Sequence, residues 1–258
     1  MNNATPLFVA ACFLTACAPY DNKPTYLLAS NQLHRYAPGD SLVYRIDGNR
    51  LSGEDSQQIV GEATSGWENA PNLPLKDPNG VTMPIGLHEL NNANISSQTS
   101  LSQPRFISQA EDNSYSVIAW PSTGDKLLWV SADNQATFSV NVLPGTLGTA
   151  GIRTSSYDIY DCIDTTCVNV GHISESIELE TKETVTTAYA KFEAYRYRYS
   201  RTATSQNADV FNPGPHTVFE KRWIYPSLGT VKYEYLDSEG TQFSASLART
   251  SIKINNPS

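Results

Sequence analysis

The sequence predicts an all-β or mostly β protein: a curved antiparallel meander sheet, open-barrel or sandwich-like, with room for two tandem β-units. Three observations predict it. Composition leans toward strands, with 14 Tyr, 8 Phe and 4 Trp against only 2 Met in 258 residues, because aromatic and β-branched side chains suit a pleated, half-buried surface. The stretches with a clear pattern alternate apolar and polar with period two, and few hold a helical stripe across three turns. Turn signals such as Ser227-Leu228-Gly229 and Asp237-Ser238-Glu239-Gly240 separate them, and strands joined by such short turns pair antiparallel.

The chain starts differently. Residues 1–16 carry no charged side chain and hold the apolar run Pro6 to Ala16, which is too short for a membrane-spanning helix of roughly 20 apolar residues but suits the core of a signal peptide. The run ends in Leu14-Thr15-Ala16-Cys17, which resembles the lipobox of bacterial lipoproteins. That resemblance implies cleavage before Cys17 and a lipid, palmitate included, on its sulfur, the strong nucleophile among small side chains. Membrane contact is then through the N-terminal lipid, in the cell envelope. Ala18 rather than Asp follows the cysteine, so outer-membrane delivery is the expectation in a Gram-negative host. Ala18-Pro19-Tyr20-Asp21-Asn22-Lys23-Pro24 opens a polar, proline-broken tether over residues 17–35.

An N-terminal β-rich unit is expected over 36–143, with strands at Ser41–Asp47, Tyr115–Trp120, Leu127–Ala132 and Thr137–Leu143. Within it, residues 63–103 are rich in Asn, Ser, Pro and Gly, and they read as a long surface loop, functional or merely mobile. Residues 144–151, Pro-Gly-Thr-Leu-Gly-Thr-Ala-Gly, read as a connector. Their glycine spacing is not that of a dinucleotide fingerprint, and no helix follows. A C-terminal antiparallel unit occupies 152–258, with strands at Tyr157–Cys162, Cys167–Ile173, Ser176–Thr186, Tyr189–Arg201, Thr217–Tyr225, Thr230–Leu236 and Gln242–Thr250.

Of four cysteines, Cys12 leaves with the signal and Cys17 takes the lipid, so the mature chain keeps Cys162 and Cys167. They flank a short turn between strand-like runs and are placed to close a hairpin with a disulfide in an oxidising compartment. Zinc would need ligands that no nearby His or Cys supplies. Asp158, Asp161 and Asp164 lack the Gly and terminal Glu of a calcium loop.

Charge and motifs narrow the function classes. A formal net charge of −8 argues against nucleic acid or an anionic lipid surface as partner. No Gly-x-Ser-x-Gly, Ser-x-x-Lys, His-Glu-x-x-His or P-loop occurs, and His34, His88, His172 and His216 are scattered. A non-enzymatic protein without a cofactor or metal is therefore expected, although paired carboxylates of a surface-polymer hydrolase become visible only in three dimensions.

The second half carries Glu183-Thr184-Val185-Thr186, then Phe192-Glu193-Ala194-Tyr195-Arg196, then Trp223-Ile224-Tyr225-Pro226-Ser227-Leu228-Gly229-Thr230-Val231-Lys232. This resembles a pattern met in uncharacterised β-rich bacterial envelope lipoproteins, Glu-Thr-Val-x-Val-Pro-Ala-Gly-x-Phe-x-Ala followed by Trp-Tyr-x-Pro-x-x-Gly-x-Val-Lys. Ala188-Tyr189-Ala190 stands here in place of the Pro-Ala-Gly turn. The resemblance spans about residues 151–252 and implies a curved antiparallel sheet similar to the lipoprotein carriers LolA and LolB. It implies no activity, since fold alone does not carry function.

Alternation places Tyr195, Tyr197 and Tyr199 on one face, with Arg196 and Arg198 on the other. Trp223 and Tyr225 share a face of the next strand. In register these aromatics would make one ladder, with Arg196 and Arg198 meeting Glu220 and Glu234 opposite. The ladder reads either as the roof of a core or as a platform for an apolar or glycan ligand, with the arginines steering an anionic group. The alternative is an assembly protein that docks another envelope protein through the 63–103 loop.

Overall fold

The computed structural model describes residues 31–52, 55–69, 75–83, 87–95, 105–121, 126–205 and 214–253. The signal segment, Cys12 and the lipidation candidate Cys17 lie outside the described residues. The strands in chain order are β1 (Ser41–Ser52), β2 (Asp55–Asn69), β3 (Leu87–Ile95), β4 (Arg105–Gln109), β5 (Tyr115–Pro121), β6 (Leu127–Ser131) and β7 (Val140–Leu143). They continue with β8 (Ile152–Ile163), β9 (Thr166–Thr186), β10 (Lys191–Ser205), β11 (Gly214–Tyr225), β12 (Gly229–Asp237) and β13 (Thr241–Thr250). Among the described residues no helix is long and apolar enough to cross a membrane.

All thirteen strands belong to one antiparallel sheet, in the order β4-β3-β2-β1-β13-β12-β11-β10-β9-β8-β6-β5-β7. The predicted curved antiparallel meander is what forms. Its curl is strong enough that β4 also pairs with β5, through Phe106–Gln109 against Tyr115–Ala119, while β7, among the described residues, pairs along β5. First and last strands are neighbours: β1 lies against β13 from Leu42↔Thr250 to Arg50↔Thr241. Long strands paired on both edges need this coiling, because right-handed strand twist accumulates across a sheet.

The period-two signal is carried into burial. Leu42, Tyr44 and Ile46 of β1 are buried, as are Thr241, Phe243, Ala245 and Leu247 of β13 and Ile173, Glu175 and Ile177 of β9. This concave face carries the main core, which reaches from Tyr44 and Ile59 to Tyr197, Tyr199 and Phe243. A second core lies on the opposite face of β5, β6 and β8. Alternation sends Leu128 and Val130 to the concave side and Trp129 to the other, where it packs with Phe138, Tyr160, Phe106 and Met83.

Three expectations are corrected. Residues 63–103 are not one loop: β2 reaches Asn69 and β3 runs Leu87–Ile95, paired from Gly61↔Ile95 to Asn69↔Leu87. Their Asn- and Ser-rich sequence has little alternation to read, and pairing of β2 with β1, and of β3 with β2 and β4, supplies the structure instead. The 17–35 tether ends early as well. Gln32 bridges Thr146, the Leu33 N–H donates to the Gly145 carbonyl at 2.7 Å, and Leu33 and Leu147 are each 1% exposed. One apolar residue in each polar stretch is enough to seat the two segments, including part of the 144–151 connector, on the core. Tyr36 continues this strap, stacked on Trp67 at 3.7 Å, with its N–H donating to Gln109 Oε1 at 2.8 Å. Finally, the separate strands expected at 167–173 and 176–186 are one strand, β9.

Cys162 and Cys167 are bonded to each other, as expected, and are directly opposed at the β8–β9 hairpin. The turn residue Asp164 has φ 54°, a left-handed conformation that Asp tolerates better than most side chains.

Candidate functional site: a polar band on the concave face

Register assembles the site. Directly opposed residues share a face of a sheet, and the pairs run Arg201↔Glu175 and Tyr199↔Ile177 between β10 and β9. Tyr199↔Glu220 and Tyr197↔Arg222 continue to β11, then Glu220↔Tyr235 and Arg222↔Tyr233 to β12, and Tyr235↔Phe243 to β13. Five neighbouring strands therefore line the concave face with two arginines, two glutamates and four tyrosines.

The charges are matched in pairs. Arg201 donates from Nε and Nη2 to the same oxygen, Glu175 Oε2, at 3.0 and 2.8 Å. Arg222 donates from Nε to Glu220 Oε2, and its guanidinium lies 4.5 Å from the centre of the Tyr199 ring, a cation–π contact. Burial works against the charge on both arginines. The nearby carboxylates, Glu175 for Arg201 and Glu220 for Arg222, outweigh it and push both above the ordinary arginine value. Burial also raises the phenols of Tyr199, Tyr233 and Tyr235, so all three remain neutral hydroxyls.

Two polar atoms in this band have no partner among the described residues: Glu175 Oε1 and the Tyr199 hydroxyl. Both residues are 4% exposed. Buried polar atoms are nearly always hydrogen-bonded, so two orphans in one band need an explanation. The surroundings are not sealed, since the Arg201 and Arg222 side chains keep 31% and 27% of their surface accessible.

The one-face aromatic ladder is not formed. Tyr195, Tyr197 and Tyr199 do share a side with respect to β11, but Trp223 is opposed to Arg196, not to a tyrosine. Trp223 thus stands on the Arg196 side of the β10–β11 pair, 5% exposed within the main core cluster, beneath Arg196 and Lys232, whose charged groups are 6.0 and 4.3 Å from its ring. Tyr197 is capped instead by the Gly148 N–H, which donates to its hydroxyl at 2.8 Å. Gly148 has φ 86°, and any Cβ there would fall 2.7 Å from the Tyr195 ring, so the former connector closes over this end of the site. Tyr195 lies under the Lys182 ammonium, 5.4 Å away. Tyr225 packs on Phe192 at 5.2 Å.

The arginine partners also differ from expectation. Arg196 pairs with Glu180 and Glu183, each at 2.8 Å, and Arg198 with Glu178. Glu220 belongs to the concave band, and Glu234 takes Lys232 at 2.9 Å. The cause is register: β9, not β11, supplies the carboxylates that face these arginines.

Trp223 Nε1 donates to Glu183 Oε1 at 2.7 Å. That bond, ahead of the Arg196 guanidinium and against a burial penalty, holds the Glu183 carboxyl below its ordinary value. A carboxyl depressed in the folded state stabilises above its unfolded value, and the contribution is lost as pH falls through the folded value. Trp223→Phe is expected to move the Glu183 titration upward toward the ordinary carboxylate range and shrink that acid-side contribution. Side-chain carboxyl carbon shifts followed by NMR measure it; an unmoved midpoint would assign the depression to Arg196.

One arrangement has no sequence signature. Asp158 is opposed to His172, and Ser156 to Ser174. His172 Nδ1 lies 2.7 Å from Asp158 Oδ1, and Nε2 lies 3.0 Å from Ser156 Oγ and 3.2 Å from Ser174 Oγ. The connectivity matches a Ser-His-Asp triad. Its setting does not, because the His172 side chain is 46% exposed on a strand face, whereas acyl transfer needs preorganised donors and exclusion of water.

No family model matches the chain. No curated protein matches it either. Among solved structures, a protein inferred to be exported, with a YmcC-like fold, from Bacteroides fragilis NCTC 9343 is similar at 13% identity and TM-score 0.46, over 86% of this chain and 100% of that one. A protein inferred to be a lipoprotein, from Parabacteroides distasonis ATCC 8503, is similar at 15% identity and TM-score 0.39, over 87% and 100%. The function therefore has to be read from this chain's own residues.

Proposed function

We propose that this chain is an exported envelope lipoprotein, anchored through Cys17, that binds a small polar ligand on the concave face of its sheet without chemistry on it. The observation that carries the binding reading is the pair of orphaned buried atoms, Glu175 Oε1 and the Tyr199 hydroxyl, beside guanidiniums that retain accessible surface. In a band whose hydrogen bonds close within the protein, each of these atoms would have a partner. The run from Pro6 to Cys17 and the Cys162–Cys167 bond support export to an oxidising compartment. An acyl chain, left open by the sequence, is disfavoured by the charged and hydroxyl-bearing lining.

Two measurements on the full chain test this. Cys17→Ser is expected to shift the protein out of the detergent-extracted membrane fraction. Native mass spectrometry of wild-type protein gently extracted from its own envelope is expected to resolve a bound small molecule that Arg222→Met loses. Unchanged membrane partition would overturn the anchor, and a mass equal to bare protein plus lipid would overturn the ligand.

A further inference from the structure

We propose that the ligand of the concave face is an uncharged, hydroxyl-rich molecule of the sugar class, seated against Glu175 Oε1 and the Tyr199 hydroxyl. This deepens the binding reading above and rests on it.

The charge balance speaks first. Arg201 is matched by Glu175 and Arg222 by Glu220, so the band offers an anion no net positive site, and an incoming carboxylate or phosphate would have to displace a glutamate already in place. A cation meets the same balance from the other side. The hydrogen-bonding inventory speaks next. A carboxylate oxygen only accepts, so Glu175 Oε1 requires a donor. The neutral phenol of Tyr199 both donates and accepts. A ligand hydroxyl is donor and acceptor at once, so the hydroxyls of one ligand would serve Glu175 Oε1 with a hydrogen and take one from Tyr199. The guanidinium hydrogens of Arg201 and Arg222 that point away from their glutamates offer further donors on accessible surface. An aliphatic chain could satisfy none of these groups.

The aromatic lining fits the same class. Tyr233 and Tyr235 are opposed to Arg222 and Glu220, and Tyr235 stacks on Phe243 at 4.7 Å. Tyr233 meets the same Phe243 edge-on, so apolar rings stand beside the polar groups, the pairing of surfaces that a pyranose presents through its C–H face and its rim of hydroxyls.

The test uses the full chain in detergent against an array of neutral and acidic oligosaccharides, with a fluorescent fatty acid alongside. Binding is expected for neutral oligosaccharides. Tyr199→Phe should weaken the best of them about tenfold with the melting temperature of the unliganded protein unchanged or raised, because it deletes a hydroxyl that has no partner. The ring, and with it the Arg222 contact, remains. Glu175→Gln, with circular dichroism to confirm folding, should weaken the same sugar. Fatty-acid or anion-only binding that Tyr199→Phe weakens would overturn the sugar class and leave the concave-face site standing. Sugar binding indifferent to Tyr199→Phe would overturn the seat proposed here. No binding by any probe would overturn the inference, while a bound mass in the native spectrum would still uphold the broader reading.

Discussion

Arg201→Met is expected to destabilise the folded protein by about 3 kcal/mol, the lower end of what stranding one partner of a buried ion pair costs. The reason is Glu175, whose side chain is 1% exposed. Both Arg201 hydrogen bonds end on its Oε2, and Oε1 has no partner among the described residues to fall back on. Without the guanidinium the carboxylate is left in poor solvent or drags the β9–β10 register open. The lower end is chosen because 31% of the Arg201 side chain remains accessible, so water partly replaces it. The double replacement Arg201→Met with Glu175→Met should recover most of the loss, since an apolar pair of similar volume often does as well as a buried ion pair. Arg249→Ala is the control: its bond to Glu62 joins side chains 65% and 46% exposed, and exposed pairs contribute about 0–1 kcal/mol. Urea unfolding midpoints with unchanged slopes measure all three. Equal losses for Arg201→Met and Arg249→Ala would mean the concave band is as wet as the outer surface.

Such a pair was half visible in the sequence. Glu175 sits between Ile173 and Ile177, and all three are buried, so a charge at the parity of core residues was there to be noticed. Alternation read the strands of the second half well because both faces there have distinct chemistry. It failed in β2 and β3, where Gln, Asn, Ser and Gly separate the few core residues, Ile59, Trp67 and Leu87. It also could not choose which strand's residues oppose which. The ladder of Tyr195, Tyr197, Tyr199, Trp223 and Tyr225 required Trp223 to meet a tyrosine, and a one-residue difference in register put it opposite Arg196 on the other face. Irregularities compound the problem. Counting back from the Cys162–Cys167 pair would set Asp158 against Gly171, but the register shifts between Ile159 and Tyr160 and delivers His172 instead. Bulges of this kind leave no reliable mark in local composition.

Gly48→Ala is expected to cost at least about 3 kcal/mol, the upper end for overpacking, because the clash is with backbone rather than with a movable side chain. Gly48 is paired with Phe243 on one side and Ile59 on the other. A Cβ at position 48 would lie 2.3 Å from Phe243 Cα, from Phe243 Cβ and from the Gln242 carbonyl oxygen. No rotamer relieves that contact, so β1 and β13 must separate at the seam that joins the first strand of the chain to the last. The damage should not stay local. Phe243 stacks on Tyr235 and meets Tyr233 edge-on, so a displaced β13 moves the aromatic rings beside Arg222 and Glu220. Gly66→Ala separates this steric effect from the general effect of adding a methyl to a strand glycine, since its Cβ would come no closer than 3.9 Å to the Asp40 carbonyl. That variant should be neutral or gain a few tenths of a kcal/mol through a less flexible unfolded chain. Thermal unfolding ranks the two, and amide exchange locates the difference: Gly48→Ala should lose protection along Ile46–Asn49 and Gln242–Ala245, where the two strands pair. Equal melting temperatures for the two variants would mean that β1 and β13 part at Gly48 without cost, and then the curl of the sheet could not depend on their close approach.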